Sequence, residues 1–173
     1  MVKDNVGQVV QMRAGRKSSD LTQLYLTAFG VNDVWQEYVR RVWAEPARGT
    51  QHHAPIKKVA RVYQKLNRAY SLRVERLTDI CRSTVTFETL FDLAECLRLI
   101  HNDSSLRVLK IKNRFDPEFE VDDSGYRDVS LLITGDITEG LVAELQLNVQ
   151  STFECKSLGG HQRYVANRDA RGD

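Results

Sequence analysis

Cysteine is scarce: among 173 residues there are only Cys81, Cys96 and Cys155. The number is odd and no C-x-x-C pair occurs, so neither a disulfide framework nor a zinc site is expected, and a reducing compartment is the simpler setting. With three prolines and ten glycines the chain is neither collagenous nor low-complexity. No apolar run approaches the roughly 18 residues that a membrane span needs. Residues 1–15 lack the apolar core of a signal peptide. The expectation is a cytoplasmic protein with no membrane partner, although a piece of a larger parent chain would read the same way. Excess charge is also lacking. The formal net charge is +2, so the chain as a whole is not a polyanion binder. Any nucleotide or nucleic-acid site must come from local clusters of Lys and Arg.

What is present is an ordinary globular composition, 42% hydrophobic and 28% charged, in a chain long enough to bury a core unaided. Residues 1–19 are polar and read as loose chain or a short helix. Asp20 is placed to cap a helix carrying Leu21, Leu24, Tyr25 and Ala28, with Gly30 as its stop. Asn32 or Asp33 then caps a second helix through Val34, Trp35, Tyr38, Val39 and Val42. Pro55 suits the first turn of a third, running to Tyr70. Its basic positions, Lys57, Lys58, Arg61, Lys65 and Arg68, fall on a face largely separate from Val59, Val62, Tyr63, Leu66 and Tyr70.

A strand is expected over 77–87, an amphipathic helix over 88–100, a strand over 106–114 and an acidic loop over 115–124. Strands over 126–134 and 140–149 are separated by turn residues and read as a hairpin. A final helix is expected after Gly160. The order α-α-α-β-α-β-β-β-α is that of an α+β chain, a mixed β-sheet flanked by helices.

The chemistry-bearing residues recur within this frame. Period two separates Tyr126, Asp128 and Ser130 from Val129, Leu131 and Ile133, and Glu144, Gln146 and Asn148 from Ala143, Leu145 and Leu147. If the two strands pair, their polar rows form one face, either a site or a half-solvated sheet. Asp79 opens the strand at 77 and is either a metal ligand or a turn residue. In a regular strand it would point away from Arg82, so both serve one site only through a bulge or a strand-end twist. No acid interrupts the chain from Ala54 to Val74, and the basic helix would bring three or four cations to a polyphosphate, or else form a solvated face. Lys110, Lys112 and Arg114 share a strand face, as a second phosphate contact or a charged sheet edge. His161 follows Gly159-Gly160, where a helix start would offer N–H groups to an anion or simply be capped. His52-His53 has no matching ligand spacing and is rejected as a metal site. Trp35 and Trp43 are expected in the core or on a partner face. No Walker A, Rossmann glycine pattern, G-x-S-x-G or H-E-x-x-H is present.

Taken in order, Ile56-Lys57-Lys58-x-x-Arg61-x-x-x-Lys65, Leu77-Thr78-Asp79-Ile80-Cys81-Arg82, Gly125-Tyr126-Arg127-Asp128-Val129, Ala143-Glu144-Leu145-Gln146-Leu147 and Gly160-His161-x-x-x-Tyr164 resemble the synthetase domain of the RelA/SpoT family. The resemblance covers about residues 55–168 and implies a nucleotidyltransferase-like fold over 51–173. An N-terminal helical region over 1–50 would pack with it as one compact unit. It implies Mg²⁺-dependent transfer of the β,γ-pyrophosphate of ATP to a ribose 3′-hydroxyl of GDP, GTP, an adenine nucleotide or the 3′ end of tRNA. Asp79 and Glu144 would be the catalytic and metal-holding carboxylates. Lys57, Lys58, Arg61, Lys65, Arg82 and Lys112 would hold phosphates. Tyr126 would stack the acceptor base, with Asp128, Ser130, Gln146, Asn148 and His161 around it.

The chain departs from the family pattern Asp-x-x-Gly-x-Arg, with Arg82 for the glycine and Thr84 for the arginine. It also departs at Asp128 and Ser130, which stand where Ser-x-His is common. These are changes of a divergent branch. Two other readings compete: a catalytically inactive nucleotide- or RNA-binding module with the same fold, and a scaffold or homo-oligomer using Trp35, Tyr38 and Trp43.

Overall fold

Five strands form one mixed sheet in a computed structural model of the chain, which describes residues 8–13, 16–17, 19–119 and 126–155. In chain order the elements are β1 (Met12–Arg13), β2 (Arg16–Lys17), α1 (Leu21–Tyr38), β3 (Thr50–His52), α2 (Val59–Ala69), β4 (Arg82–Phe87), α3 (Leu90–Asn102), β5 (Leu106–Asn113), β6 (Val129–Gly135), β7 (Ala143–Val149) and α4 (Gln150–Cys155). The main sheet runs β3-β4-β7-β6-β5, with β4 and β7 parallel and the other pairs antiparallel. The fold class is thus the expected α+β, and β6 and β7 are the expected antiparallel neighbours.

Register decides the two faces. Ser83, Val85 and Phe87 lie opposite Leu145, Leu147 and Val149, and Leu131 and Ile133 lie opposite Leu145 and Ala143. This apolar face shares one buried cluster with Leu24, Ala28, Val31 and Trp35 of α1 and Leu93, Cys96 and Ile100 of α3. The opposite face carries Arg82, Thr84 and Thr86 beside Glu144, Gln146 and Asn148, with Ser130 beside Gln146. The alternation in the sequence therefore marks one polar sheet face.

Several boundaries differ from the sequence expectation. Asp20 caps α1 as expected, accepting from Gln23 N at 3.1 Å. Gly30, however, does not stop the helix. Leu24, Ala28, Val31 and Trp35 are buried along one continuous face, which outweighs the roughly 1 kcal/mol that glycine costs in a helix. The chain continues through a π-helical stretch, Val39–Ala44. Trp35 and Trp43 are fully buried and meet edge to face at 5.8 Å, so the indoles are core and not a partner face.

Pro55 starts no helix. Residues up to Lys58 stay extended, Lys57 N donates to Ile80 O at 3.1 Å, and α2 begins at Val59. Strand β4 begins at Arg82, five residues later than expected, because a 3₁₀ turn at Val74–Arg76 and a loop come first. Strand β3, the short β1–β2 pair and α4 have no counterpart in the sequence reading. The helix expected after Gly160 lies outside the described residues. Among the described residues no helix is long and apolar enough to cross a membrane.

Candidate active site

Asp79 sits in the loop just before β4, and its side chain is 12% exposed. Its Oδ2 accepts from the ammonium groups of Lys57 and Lys65, the second at 2.8 Å. Its Oδ1 is buried and has no hydrogen-bond partner. Two separate elements deliver the lysines. Lys57 rides on the extended segment, whose position is fixed by the bond to Ile80 and by Tyr25 Oη donating to Lys57 O at 2.6 Å. Lys65 rises from α2 with its ammonium 5.0 Å from the centre of the Tyr70 ring.

Burial works to raise the Asp79 pKa, but the charges of Lys65 and then Lys57 overcome it and bring the carboxyl down to about 2. The two lysines share the carboxylate unequally. Burial outweighs the pull of Asp79 on Lys57 and lowers its pKa. Lys65 also loses hydration, yet Asp79 raises its pKa. Lys65 is therefore the firm counter-charge, and Lys57 carries the costlier positive charge.

The neighbouring positive group is Arg82, whose charge acts on Lys57. Its Nε is buried and has no partner. Because β4 starts at Arg82, Asp79 lies outside the regular strand, and the two-residue period no longer sets the two side chains on opposite sides. Arg82 pairs in register with Glu144 on β7. Glu144 Oε1 accepts from Ser130 Oγ at 3.1 Å and from Gln146 Nε2 at 3.4 Å. Lys112 lies opposite Ser130 on β5, with its ammonium 5.0 Å from the Phe119 ring centre.

The remaining sequence candidates are distributed as follows. Tyr126 is near enough for the charge of Glu144 to act on it, and its hydroxyl donates to Asp128 Oδ2 at 2.8 Å. Asp128 is fully buried, and Asn148 is fully buried with neither amide atom bonded. Arg61 is exposed and donates to Gln64 at 2.8 Å. Lys58 lines a cavity of about 430 Å³ with Tyr25, Phe29, Asp33 and His53. His161 lies outside the described residues. His52 stands in β3, bonded to Thr86 Oγ1 at 2.9 Å and stacked on Phe153 at 5.0 Å. Tyr25 and Gln36, which donates to Arg82 O at 2.6 Å, brace the segments that carry Lys57 and Arg82. Helical periodicity gave no signal for either role.

Among the described residues no three His, Cys, Asp or Glu side chains gather into a metal cluster. The buried, unpartnered Oδ1 of Asp79 is a carboxylate oxygen of the kind that a hard cation takes. Mg²⁺ commonly takes one or two carboxylates and completes its shell with water and substrate phosphates. A face with one such oxygen, cations from three elements and a carboxylate held by a serine is suited to a polyanionic ligand.

No protein-family model matches the chain, and no curated protein matches it by sequence. Solved structures do match its fold. Small alarmone synthetase 1 from Bacillus subtilis superposes with a TM-score of 0.64 at 12% identity, covering 90% of this chain and 83% of that one. Small alarmone synthetase 2 from Bacillus subtilis gives 0.62 at 17% identity, covering 85% and 81%. The type VI effector Tas1, solved with its immunity protein, gives 0.56 at 22% identity, covering 74% and 60%. The fold of this chain is that of the small alarmone synthetases.

Proposed function

We propose that the chain is an ATP-dependent nucleotide pyrophosphokinase of the RelA/SpoT kind. It would move the β,γ-pyrophosphate of ATP to the 3′-hydroxyl of GDP, GTP, an adenine nucleotide or a tRNA 3′ end. The observation that carries this reading is the unpaired, buried Oδ1 of Asp79 beside Lys57, Lys65 and Arg82, at the edge of the sheet face that holds Glu144. Lys57, Lys65 and Arg82 bind and orient the donor phosphates. Mg²⁺ held at Asp79 would supply further neutralisation of phosphate charge. Glu144, oriented by Ser130, takes the proton of the attacking 3′-hydroxyl. The new bond joins that oxygen to the β-phosphorus, the bond from the α-phosphate bridge to the β-phosphorus breaks, and AMP leaves. Positioning and charge neutralisation supply most of the rate in such transfers. The likeness of fold supports the reading, and one solved form of small alarmone synthetase 1 is bound to its product pppGpp.

The test incubates the chain with γ-³²P-ATP and Mg²⁺ and, in separate tubes, GDP, GTP, ADP, ATP, AMP and bulk tRNA, with Asp79→Ala as control. A labelled product that Asp79→Ala does not form supports the reading and names the acceptor. No product in any tube from folded protein overturns it. A second reading, a binding module without turnover, is favoured by Thr84 in place of the family's arginine and by both lysines resting on Asp79. It predicts a rise in melting temperature with ATP but no labelled product.

A further inference from the structure

Asp128 stands where the sequence suggests a base-reading side chain, yet it is fully buried. Its Oδ1 pairs with Arg114 Nη1, and its Oδ2 accepts from Tyr126 Oη at 2.8 Å. With no exposed surface, the carboxylate has nothing to offer a nucleobase. The backbone reinforces the arrangement. Arg114 N donates to Asp128 O at 2.9 Å, one step beyond the last paired residues of β5 and β6, Asn113 and Val129. Arg127 Nη1 donates to Arg114 O at 2.9 Å, and Thr152 Oγ1 donates to Arg127 O at 3.1 Å. The segment 126–128 is thus tied to β5 on one side and to α4 on the other.

We infer that Arg114 and Asp128 are positioning residues that hold the Tyr126 ring in the orientation in which it stacks the acceptor base. This rests on the proposed role of Tyr126 as the acceptor platform. A tyrosine ring has two torsions, and an unheld one must be ordered when a base lands on it. A hydroxyl anchored to a buried carboxylate removes that cost before binding. Arg114 Nη1, paired with the other carboxylate oxygen, fixes the Asp128 side chain in place for that anchor. Burial, and after it the charge of Asp128, raises the pKa of the tyrosine hydroxyl and keeps it a donor. The lock is therefore set by Arg114, transmitted by Asp128 and read out at the ring.

The experiment uses the full chain and compares Tyr126→Phe, Asp128→Asn, their double variant and Tyr126→Ala. Acceptor and ATP affinities are measured by equilibrium titration with GDP, GTP, ADP, ATP, AMP and tRNA, and KM and kcat wherever turnover occurs. Tyr126→Phe keeps the ring and the Arg114–Asp128 pair but removes the hydroxyl. It is expected to weaken acceptor binding roughly two- to tenfold, with ATP donor affinity unchanged and a smaller effect on kcat. Asp128→Asn is expected to act alike, and the double variant to be no worse than the poorer single one.

If Tyr126→Ala weakens acceptor binding while Tyr126→Phe does not, the ring is the platform and the lock is refuted. Additive effects in the double variant refute it as well. If Tyr126→Ala changes nothing, or no nucleotide binds the wild type, the platform reading fails and the inference with it. Should Asp128→Asn not fold, Tyr126→Phe decides alone.

Discussion

The ammonium of Lys65 lies 2.8 Å from Asp79 Oδ2, while Asp79 Oδ1, buried beside it, is left without a partner. The engaged oxygen makes this contact part of the fold's stability, and the vacant one makes it a candidate for chemistry. The stability part has a definite pH signature. Asp79 is lowered from 3.8 to about 2. A depressed carboxyl stabilises the fold in full above its unfolded pKa and loses that contribution as pH falls through the folded one. The window is therefore from 3.8 down to about 2, and the contribution at stake is about 2 kcal/mol. Urea unfolding of the wild type should lose this increment across that window, and Asp79→Asn should not. At pH 7 the variant should be destabilised by about 2 kcal/mol, because it leaves two ammonium groups without their counter-charge, one of them partly screened by solvent. Identical pH dependence in both proteins would rule the pairing out.

Arg82 supplies the second prediction. Its Nε is buried without a partner, and an unsatisfied buried donor costs roughly 1–3 kcal/mol. A bound polyphosphate would satisfy it. Mg²⁺ with a non-hydrolysable ATP analogue at about 100 times Kd should stabilise the wild type by about 2.7 kcal/mol. Arg82→Met keeps the aliphatic stem and loses the guanidinium, so it should melt at or above the wild-type temperature without ligand. Its Kd for the analogue should be about tenfold or more higher. Thermal melts across a ligand series measure both. Equal ligand stabilisation in the two proteins would remove Arg82 from the phosphate site.

What could be read in the sequence was what local pattern encodes. The two-residue alternation set the faces of β7 and placed Ser130 of β6 beside Gln146, because side-chain direction in a strand is fixed by the backbone; Tyr126 and Asp128 precede β6, and Leu132 lies opposite Glu144. The helix around Leu21 was found by its cap and its apolar spacing. Its length was not, because burial of Val31 and Trp35 on the same stripe carries the helix past Gly30. The start of α2 was misplaced because the Lys57–Ile80 bond, which holds the chain extended, joins residues far apart in sequence. The same reason hid the site's supports. Tyr25 reaches Lys57, Gln36 reaches Arg82, and Arg114 reaches Asp128 only once the chain is folded.

Two glycines give opposite predictions for one substitution. Around Gly30, within α1, a Cβ would meet nothing within 4 Å. Gly30→Ala should therefore stabilise the chain by about 0.5–1 kcal/mol through helix propensity and a less flexible unfolded state. At Gly49 a Cβ would lie 2.4 Å from Phe87 Cε1 and 2.7 Å from Val85 Cγ1, both in the core. Gly49→Ala should cost about 1–3 kcal/mol, as overpacked cores do. Urea midpoints of the two variants should move in opposite directions from the wild type. A destabilised Gly30→Ala would mean that the helix breaks there after all.

Glu144 tests the chemistry itself. Glu144→Gln keeps an oxygen to accept from Ser130 Oγ, which lies 3.1 Å away, and it preserves size and strand position. What it loses is the capacity to take a proton. If Glu144 accepts the proton of the 3′-hydroxyl, kcat for pyrophosphoryl transfer should fall roughly 10²- to 10⁴-fold, with KM for ATP and acceptor changed by no more than a small factor. Ser130→Ala removes one of the two groups that hold the carboxylate and leaves Gln146 Nε2 at 3.4 Å, so its loss of kcat should be under about tenfold. The ordering of the two variants carries the argument. A merely structural role for Glu144 would show as a lower melting temperature with kcat retained, and a phosphate or metal contact alone as a raised KM for ATP. A fall confined to kcat, larger for Glu144→Gln than for Ser130→Ala and at unchanged stability, is the signature of a base held in place by its neighbour.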